Sequence, residues 1–246
     1  MRNHLEVLSG TNATLPLQAS HQQRQDSPEK SKQPTRLGKV EDEFTKLVQR
    51  MFTSPGCAKV PCAVTFTGVE RNAGCSWVCV HAGEALAQHA LGTICVVDAN
   101  LRGPSLHEYF RVSNETGFTD ALNESKPIEN YVRRVNEAHL WLLPAGAASG
   151  QLNGILNPAR LQARFAELRA HFDYVIVDTP ETGAFPDGLL IGQATDGVIL
   201  VLGSNSTRRE SARIVKDNFD AAKVPVLGVV LNRRTYPIPE ALYRRL

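Results

Sequence analysis

The residues best suited to chemistry lie in Val64–Trp77, where an apolar run meets a loop with glycines and then a helix start. Unpaired backbone N–H groups and the helix dipole converge at such a junction and attract anions. The stretch approaches the phosphate-loop pattern G-x-x-x-x-G-K-[ST] through Gly74 and Ser76. Cys75 stands at the lysine position, and Gly68 lies one residue before the position of the first glycine. The loop therefore predicts a phosphate cradle that lacks its usual cation.

We expect a phosphorylated ligand to contact this loop through backbone and side-chain groups. The predicted contacts share a position between the end of the strand and the first turn of the helix. They are Gly68, Arg71, Asn72, Ala73, Gly74, Cys75, Ser76 and Trp77.

The elements that must position this loop form an alternating series of strands and helices. Strands are predicted at 63–67, 93–97, 140–143, 174–177, 198–202 and 226–231, and helices from Glu41, at 76–89, 158–171 and 207–222. Continuous Val, Ile and Leu runs bounded by helices are typical of a parallel sheet that is buried on both faces. The predicted fold is one doubly wound α/β domain with a mainly parallel sheet.

Further candidates follow the strands, because ligands of such folds bind at the carboxyl ends of the strands. Asp98 and Arg102 follow the second strand, Asp178 the fourth and Asn232 the sixth. Two carboxylates and a hydroxyl beside a phosphate cradle are suited to holding Mg²⁺ against a nucleotide. Asp187 is instead expected to cap the helix that follows it.

The bulk properties exclude several classes of protein. The chain has 246 residues and a net charge of +2, which is too small to indicate a nucleic-acid partner. No apolar run approaches the roughly 20 residues needed to span a bilayer, and no signal peptide is evident, so we expect a cytoplasmic protein. Residues 1–38 are polar and are predicted to be a disordered leader, which leaves residues 39–246 for the folded domain.

The five cysteines are expected to be free thiols. The spacings of Cys57 with Cys62 and of Cys75 with Cys79 could suggest a metal site, but no second Cys or His pair is placed in the sequence to close a tetrahedron. Buried thiols that behave as small apolar side chains are the favoured interpretation.

The order of motifs resembles the bacterial tyrosine kinases of capsule and exopolysaccharide synthesis, within the ParA/MinD-like division of P-loop proteins. The resemblance covers about residues 40–233. The segments that carry it are Asp98-Ala-Asn-Leu-Arg-Gly-Pro, His107-Glu-Tyr-Phe, Gly117-Phe-Thr-Asp-Ala-Leu, Leu143-Pro-Ala-Gly, Phe172-Asp-Tyr-Val-Ile-Val-Asp-Thr-Pro and Leu227-Gly-Val-Val-Leu-Asn.

The resemblance implies ATP and Mg²⁺ as cofactors. Ser76, Asp98 and Asp178 would hold the ion, Asp98 and Asp178 would position the attacking hydroxyl, and Asn232 would contact adenine. It also implies a membrane partner of the polysaccharide co-polymerase (chain-length activator) type, a place at the inner face of the membrane through that partner, and a homo-oligomer.

The departures from the family pattern fall on the chemistry and the assembly. Cys75 replaces the lysine and Asn100 the second acid of an Asp-x-Asp pair. Loss of one such charge costs on the order of 10²–10³ in rate, by analogy with single oxyanion donors. The tail from Tyr236 has two tyrosines rather than a cluster, and the oligomerisation motif Glu-x-x-Arg-x-x-Arg becomes Glu43, Lys46 and Gln49.

Three functions remain open at this point. The favoured one is a catalytically impaired, kinase-like protein, or pseudokinase, that binds Mg²⁺-ATP weakly. An active tyrosine kinase or ATPase would need another cation, such as Arg71 or Arg102, at the phosphates. The third is a non-enzymatic scaffold or a MinD/ParA-type positioning protein.

Overall fold

The computed structural model describes residues 6–7, 36–52, 61–89, 92–135, 139–147 and 154–233, and side chains from residue 40 onwards within these ranges. The predicted leader is described only at residues 6–7 and 36–38; its other residues, the tail from Tyr236 and Cys57 lie outside the described residues. The first helix begins at Arg36, before the predicted domain boundary.

One twisted sheet forms the centre of the molecule, and its strands run in the order β1-β8-β7-β2-β6-β3-β5-β4. The strands are β1 Glu6–Val7, β2 Ala63–Gly68, β3 Ile94–Asp98, β4 Arg133–Arg134, β5 Leu140–Leu143, β6 Tyr174–Thr179, β7 Val198–Gly203 and β8 Val226–Asn232. The six longer strands are parallel to one another, and the two-residue strands β1 and β4 pair antiparallel at the edges. The predicted α/β fold with a mainly parallel sheet is confirmed.

Helices cover both faces of the sheet. They are α1 Arg36–Phe52, α2 Cys75–His89, α3 Leu106–Phe110, α4 Phe118–Asn123, α5 Pro158–His171, α6 Asp187–Gly192 and α7 Arg209–Ala221, with a 3₁₀ turn at Ile128–Asn130. The predicted longer helices and all six strands are present, although α1 begins at Arg36 rather than Glu41. Helices α3, α4 and α6 were not predicted, because five or six residues are too few to show a helical repeat.

The side chains of the strands alternate between two cores, as the two-residue period of a strand requires. On one face α1 and α2 pack against residues such as Phe66, Val96 and Ile176. On the other face α4 and α5 pack against residues such as Val97 and Val177. The central strands are therefore buried on both sides, and Asp98, Asp178 and Asn232 lie at or next to the carboxyl ends of three of them.

Candidate functional site

The glycine loop joins β2 to α2 at the carboxyl edge of the sheet, as predicted. Two of its residues have left-handed backbone conformations, Asn72 with φ 61° and Gly74 with φ 84°. Asparagine and glycine tolerate this conformation better than other residues, which explains their presence in a turn that must end at a helix N-terminus. Val78 N–H donates to the Gly74 carbonyl at 3.1 Å, so the helical hydrogen bonds begin at the loop.

A cavity of about 570 Å³ lies in front of this loop. Its volume is within the range of about 300–1,000 Å³ that is typical of small-molecule sites. The predicted contacts from the loop all line it: Gly68, Arg71, Asn72, Ala73, Gly74, Cys75, Ser76 and Trp77. Arg102 and Asn232 line it as well. The structure thus brings the predicted binding residues to one cavity.

Asp98 and Asp178 are paired across neighbouring strands and are fully buried behind the cavity wall. Asp98 accepts backbone N–H groups at both carboxylate oxygens, from Asn100 at 3.3 Å and from Ser105 and Leu106 at 3.1 and 3.0 Å. Its carboxylate therefore organises the loop after β3 and the start of α3, a role that the sequence did not predict.

Asp178 has a different environment at each carboxylate oxygen. The Cys79 thiol points to Oδ1, with a sulfur–oxygen distance of 3.8 Å, whereas Oδ2 is buried and has no hydrogen-bond partner among the described residues. A buried acceptor without a partner carries an uncompensated desolvation cost. This oxygen is therefore ready to accept a cation or a donor from a ligand.

The two carboxyl groups have strongly raised pKa values. Burial, and then the charge of Asp178, raise the pKa of Asp98 to about 7. Burial raises the pKa of Asp178 to about 6, although Ser76, Cys75 and Cys79 oppose the rise. Buried acids that repel one another favour the protonated form, and a bound divalent cation would reverse that preference.

Cys75 occupies the lysine position of the loop and cannot supply its charge. Burial raises the pKa of the Cys75 thiol to about 11, so the side chain is neutral near neutral pH. Cys75, Cys79 and Cys95 are free thiols, in agreement with the sequence-based expectation for these three residues.

Arg102 lies at the cavity, but its guanidinium is already paired. Nε and Nη2 donate to the two oxygens of Asp187 at 2.9 and 3.1 Å, and the guanidinium carbon lies 3.9 Å from the centre of the Phe185 ring. The prediction that Asp187 caps a helix is wrong: Pro186 is the N-cap of α6, and no side-chain capping bond forms. Asp187 instead holds Arg102 through a two-point ion pair, which is the stronger interaction for a buried carboxylate.

Asn232 supports the loop from the end of β8. The side chain is buried; its Nδ2 donates to the Ala73 carbonyl at 3.0 Å, and its Oδ1 accepts the Arg233 N–H at 2.8 Å. A Cβ added to Gly74 would lie 2.4 Å from Nδ2, so glycine is required there for packing as well as for its φ. The amide that the family resemblance assigns to adenine is used here by the protein backbone.

Trp77 lies between the cavity and the aromatic side chains of α1 and α2. Its ring packs on His81 with a centroid distance of 4.2 Å and edge-on against Phe44 at 5.3 Å. The sequence predicts that Trp77 packs either in the core or against a ligand. Its position is compatible with both, because the side chain packs on Phe44 and His81 and also lines the cavity. Glu181, Phe185 and Tyr109 also line the cavity and had no signal in the sequence.

Known proteins resemble this chain in sequence. Tyrosine-protein kinase YwqD of Bacillus subtilis is 32% identical over 139 residues, 56% of this chain and 59% of that protein. Tyrosine-protein kinase ptk of Acinetobacter johnsonii is 27% identical over 169 residues, 69% of this chain and 23% of that protein. The chain thus spans less than two thirds of the length of either relative. No model of a protein family matches the chain.

Solved structures resemble it in fold. The chimerical protein CapA2B2 superposes with a TM-score of 0.73 at 22% identity, over 85% of this chain and 88% of that one. The VpsO kinase domain gives 0.66 at 27% identity, over 71% and 86%. The septum site-determining protein MinD of Pyrococcus horikoshii, in complex with Mg-ADP, gives 0.58 at 17% identity, over 68% of each chain. The chain is thus similar in sequence to proteins named as bacterial tyrosine-protein kinases, and its fold is similar to that of the VpsO kinase domain and of MinD.

Proposed function

We propose that the chain is a kinase-like protein of capsule or exopolysaccharide synthesis that binds Mg²⁺-ATP weakly and is impaired in phosphoryl transfer. One observation supports the proposal: a cavity lies in front of the glycine loop, while a neutral thiol, Cys75, stands at the position of the lysine in the phosphate-loop pattern. Backbone donors do much of the binding in such loops, so binding and catalysis can separate.

The residues present fit a magnesium ion with a nucleotide. Ser76 lines the cavity, and the unpartnered Oδ2 of Asp178 is an oxygen ligand of the kind that Mg²⁺ prefers. Ser76 and Asp178 would hold the ion, directly or through water, and Asp98 would keep the adjoining loop in place. When bound, the ion would neutralise charge on the phosphate oxygens.

The neutral thiol limits what the site can do chemically. Phosphoryl transfer depends on positioning and on positive charge around the transferred group. Arg71, Arg102 and Arg233 line the cavity, but Arg102 is committed to Asp187 in this structure. An active kinase, the second candidate, would need another cation at the phosphates, either Arg71 or an Arg102 that leaves Asp187. A scaffold or a MinD/ParA-type positioning protein, the third candidate, would not need to transfer phosphate to tyrosine.

The proposed partner is a membrane polysaccharide co-polymerase, on the basis of the family resemblance, and a homo-oligomer is part of the same proposal. Within the described ranges, no helix has the length and apolar character needed to cross a membrane. The same proposal places the protein at the inner face of the membrane through that partner.

The test compares the protein with Cys75→Lys and with Cys75→Met, a neutral side chain of similar length. A lysine that reaches the phosphates adds charged hydrogen bonds worth about 1.5–3 kcal/mol, or about 10- to 100-fold in ATP affinity. We expect Cys75→Lys to strengthen ATP binding and to raise phosphoryl transfer, and Cys75→Met to do neither. Equal affinities of all three proteins would show that the loop does not hold the phosphates.

A further inference from the structure

Two thiols and a carboxylate meet at the start of α2. The sulfur atoms of Cys75 and Cys79 and one carboxylate oxygen of Asp178 all lie within 4.8 Å of one another. We call these three side chains the thiol–carboxylate cluster. Sequence reasoning rejected a metal site at Cys75 and Cys79 because it looked for a second pair of ligands in the sequence, whereas the third ligand comes from β6.

The fold brings the cluster together through two separate elements. Cys75 and Cys79 are four residues apart on α2, so that their side chains lie on the same face of the helix. That face packs against β6, where Asp178 is the fifth of six residues. The ligands are thus fixed by a long helix and a central strand rather than by a mobile loop.

The distances suit a tetrahedral ion. With metal–sulfur bonds of about 2.3 Å and metal–oxygen bonds of about 2.1 Å, tetrahedral angles place sulfur and oxygen about 3.6 Å apart. The distance between Cys79 Sγ and Asp178 Oδ1 is 3.8 Å. Only a small adjustment of side chains is needed for both atoms to reach one ion.

A second observation points to a cation on the same carboxylate, at its other oxygen. Oδ2 of Asp178 is fully buried and has no hydrogen-bond partner among the described residues. Native proteins leave few buried polar atoms in that condition, and an ion is one of the partners that resolves it. The Cys79 thiol beside Oδ1 is a weak donor, and it leaves Oδ2 without a partner among the described residues.

The cluster is also open to the cavity. Cys75 lines the cavity wall, as do its neighbours Gly74 and Ser76. Cys79 and Asp178 are fully buried behind Cys75, so an ion would adjoin the cavity on the Cys75 side. Three protein ligands leave the fourth position of a tetrahedral ion open, as in catalytic zinc sites. The fourth position would accept water or an anionic oxygen at the point where the loop's lysine would otherwise lie.

We propose that Cys75, Cys79 and Asp178 bind a thiophilic divalent cation of the Zn²⁺ class, which places positive charge at the lysine position of the glycine loop. Sulfur ligands select such ions and disfavour Mg²⁺, which prefers oxygen. Binding replaces the two thiol protons by the metal and releases them to solvent. This site shares Asp178 with the magnesium site of the proposed function, but its test needs no nucleotide, so that failure of one proposal can be distinguished from failure of the other.

The experiment is a titration of the reduced full-length protein with Co²⁺ in the absence of nucleotide, followed by absorbance. We expect one equivalent of Co²⁺ to produce the charge-transfer band of cobalt–thiolate bonds, and one equivalent of Zn²⁺ to remove it. An excess of Mg²⁺ is expected to leave the band in place. Proton release measured in weak buffer should accompany the titration.

Matched variants assign the ligands. Cys79→Ala and Asp178→Asn should each abolish or weaken the band, whereas Cys95→Ala and Cys62→Ala, which remove thiols outside the cluster, should keep it. Circular dichroism of each apo variant checks the fold. A wild-type protein with no thiolate band, or a band that survives in Cys79→Ala, overturns the proposal. Neither result bears on Mg²⁺-ATP affinity, which is measured separately.

Discussion

The buried Asp178 carboxylate should make the protein less stable as the pH rises. Its pKa in the folded protein is about 6, against an ordinary value of 3.8, because burial disfavours the charged form. Below pH 3.8 the folded and unfolded chains are both protonated at this group, so it has no effect. Between pH 3.8 and about 6 the folded state binds more protons than the unfolded state, so the free energy of unfolding falls as the pH rises.

Asp178→Asn removes this cost while keeping the shape of the side chain. The pKa lies roughly two pH units above its ordinary value, and each unit corresponds to about 1.4 kcal/mol, so the variant should be more stable than the wild type by about 3 kcal/mol at about pH 8. The advantage should shrink to nothing at about pH 4. The substitution should also lower the pKa of Asp98, because the charge of Asp178 is one of the causes that raise it. This effect should add to the gain in the free energy of unfolding.

The assay is urea denaturation at several pH values in the presence of a chelator, which keeps divalent cations from the site. Asp196→Asn is a control of opposite sign. Burial tends to raise the pKa of Asp196. Hydrogen bonds from the Ala63 and Cys62 N–H groups and the charge of Arg169 outweigh burial and hold this pKa below its ordinary value. That carboxylate stabilises the fold above its ordinary pKa, and the contribution is lost as the pH falls.

The refuting result is specific. If Asp178→Asn destabilises the protein equally at about pH 8 and about pH 5, the carboxylate is not an uncompensated buried charge. A cation at Oδ2 would then have no uncompensated buried charge to neutralise.

Two further predictions concern the cavity wall. Arg102→Ala and Asp187→Ala should each destabilise the fold. A double-mutant cycle in urea should give a coupling of about 1–2 kcal/mol, because two hydrogen bonds join the pair and Asp187 is buried. Additive effects of the two substitutions would contradict the pairing. Gly74→Ala should weaken ATP binding more than tenfold by calorimetry, since its Cβ would lie 2.4 Å from the Asn232 amide. Gly103→Ala, at a cavity glycine where a Cβ meets nothing within 4 Å, is the matched control and should bind as the wild type does.

The sheet was predictable from sequence because its strands are buried on both faces. Such strands appear as uninterrupted runs such as Ile94–Val97 and Val198–Leu202, and a following helix marks the end of most of them. Ligand residues at the strand ends could be named for the same reason, since topology places the carboxyl ends together. The short helices α3 and α4 had no comparable signal.

The partners of the site residues were not predictable. Arg102 and Asp187 are 85 residues apart, and Cys79 and Asp178 are 99 apart, so that only the completed fold brings each pair together. The amide of Asn232 and the carboxylate of Asp98 bond to backbone groups, which any sequence supplies. Residue type indicated where chemistry could occur, whereas the role of each side chain depended on its neighbours.

The most direct test of the central claim is calorimetric titration of the full-length protein with Mg²⁺-ATP, beside Asp178→Ala. We predict saturable binding of one nucleotide per chain, weakened at least tenfold in the variant, because Asp178 has an unpartnered oxygen behind the cavity wall that can serve as a ligand of the ion. A folded wild-type protein that binds no nucleotide would contradict the account, and so would binding that Asp178→Ala leaves unchanged.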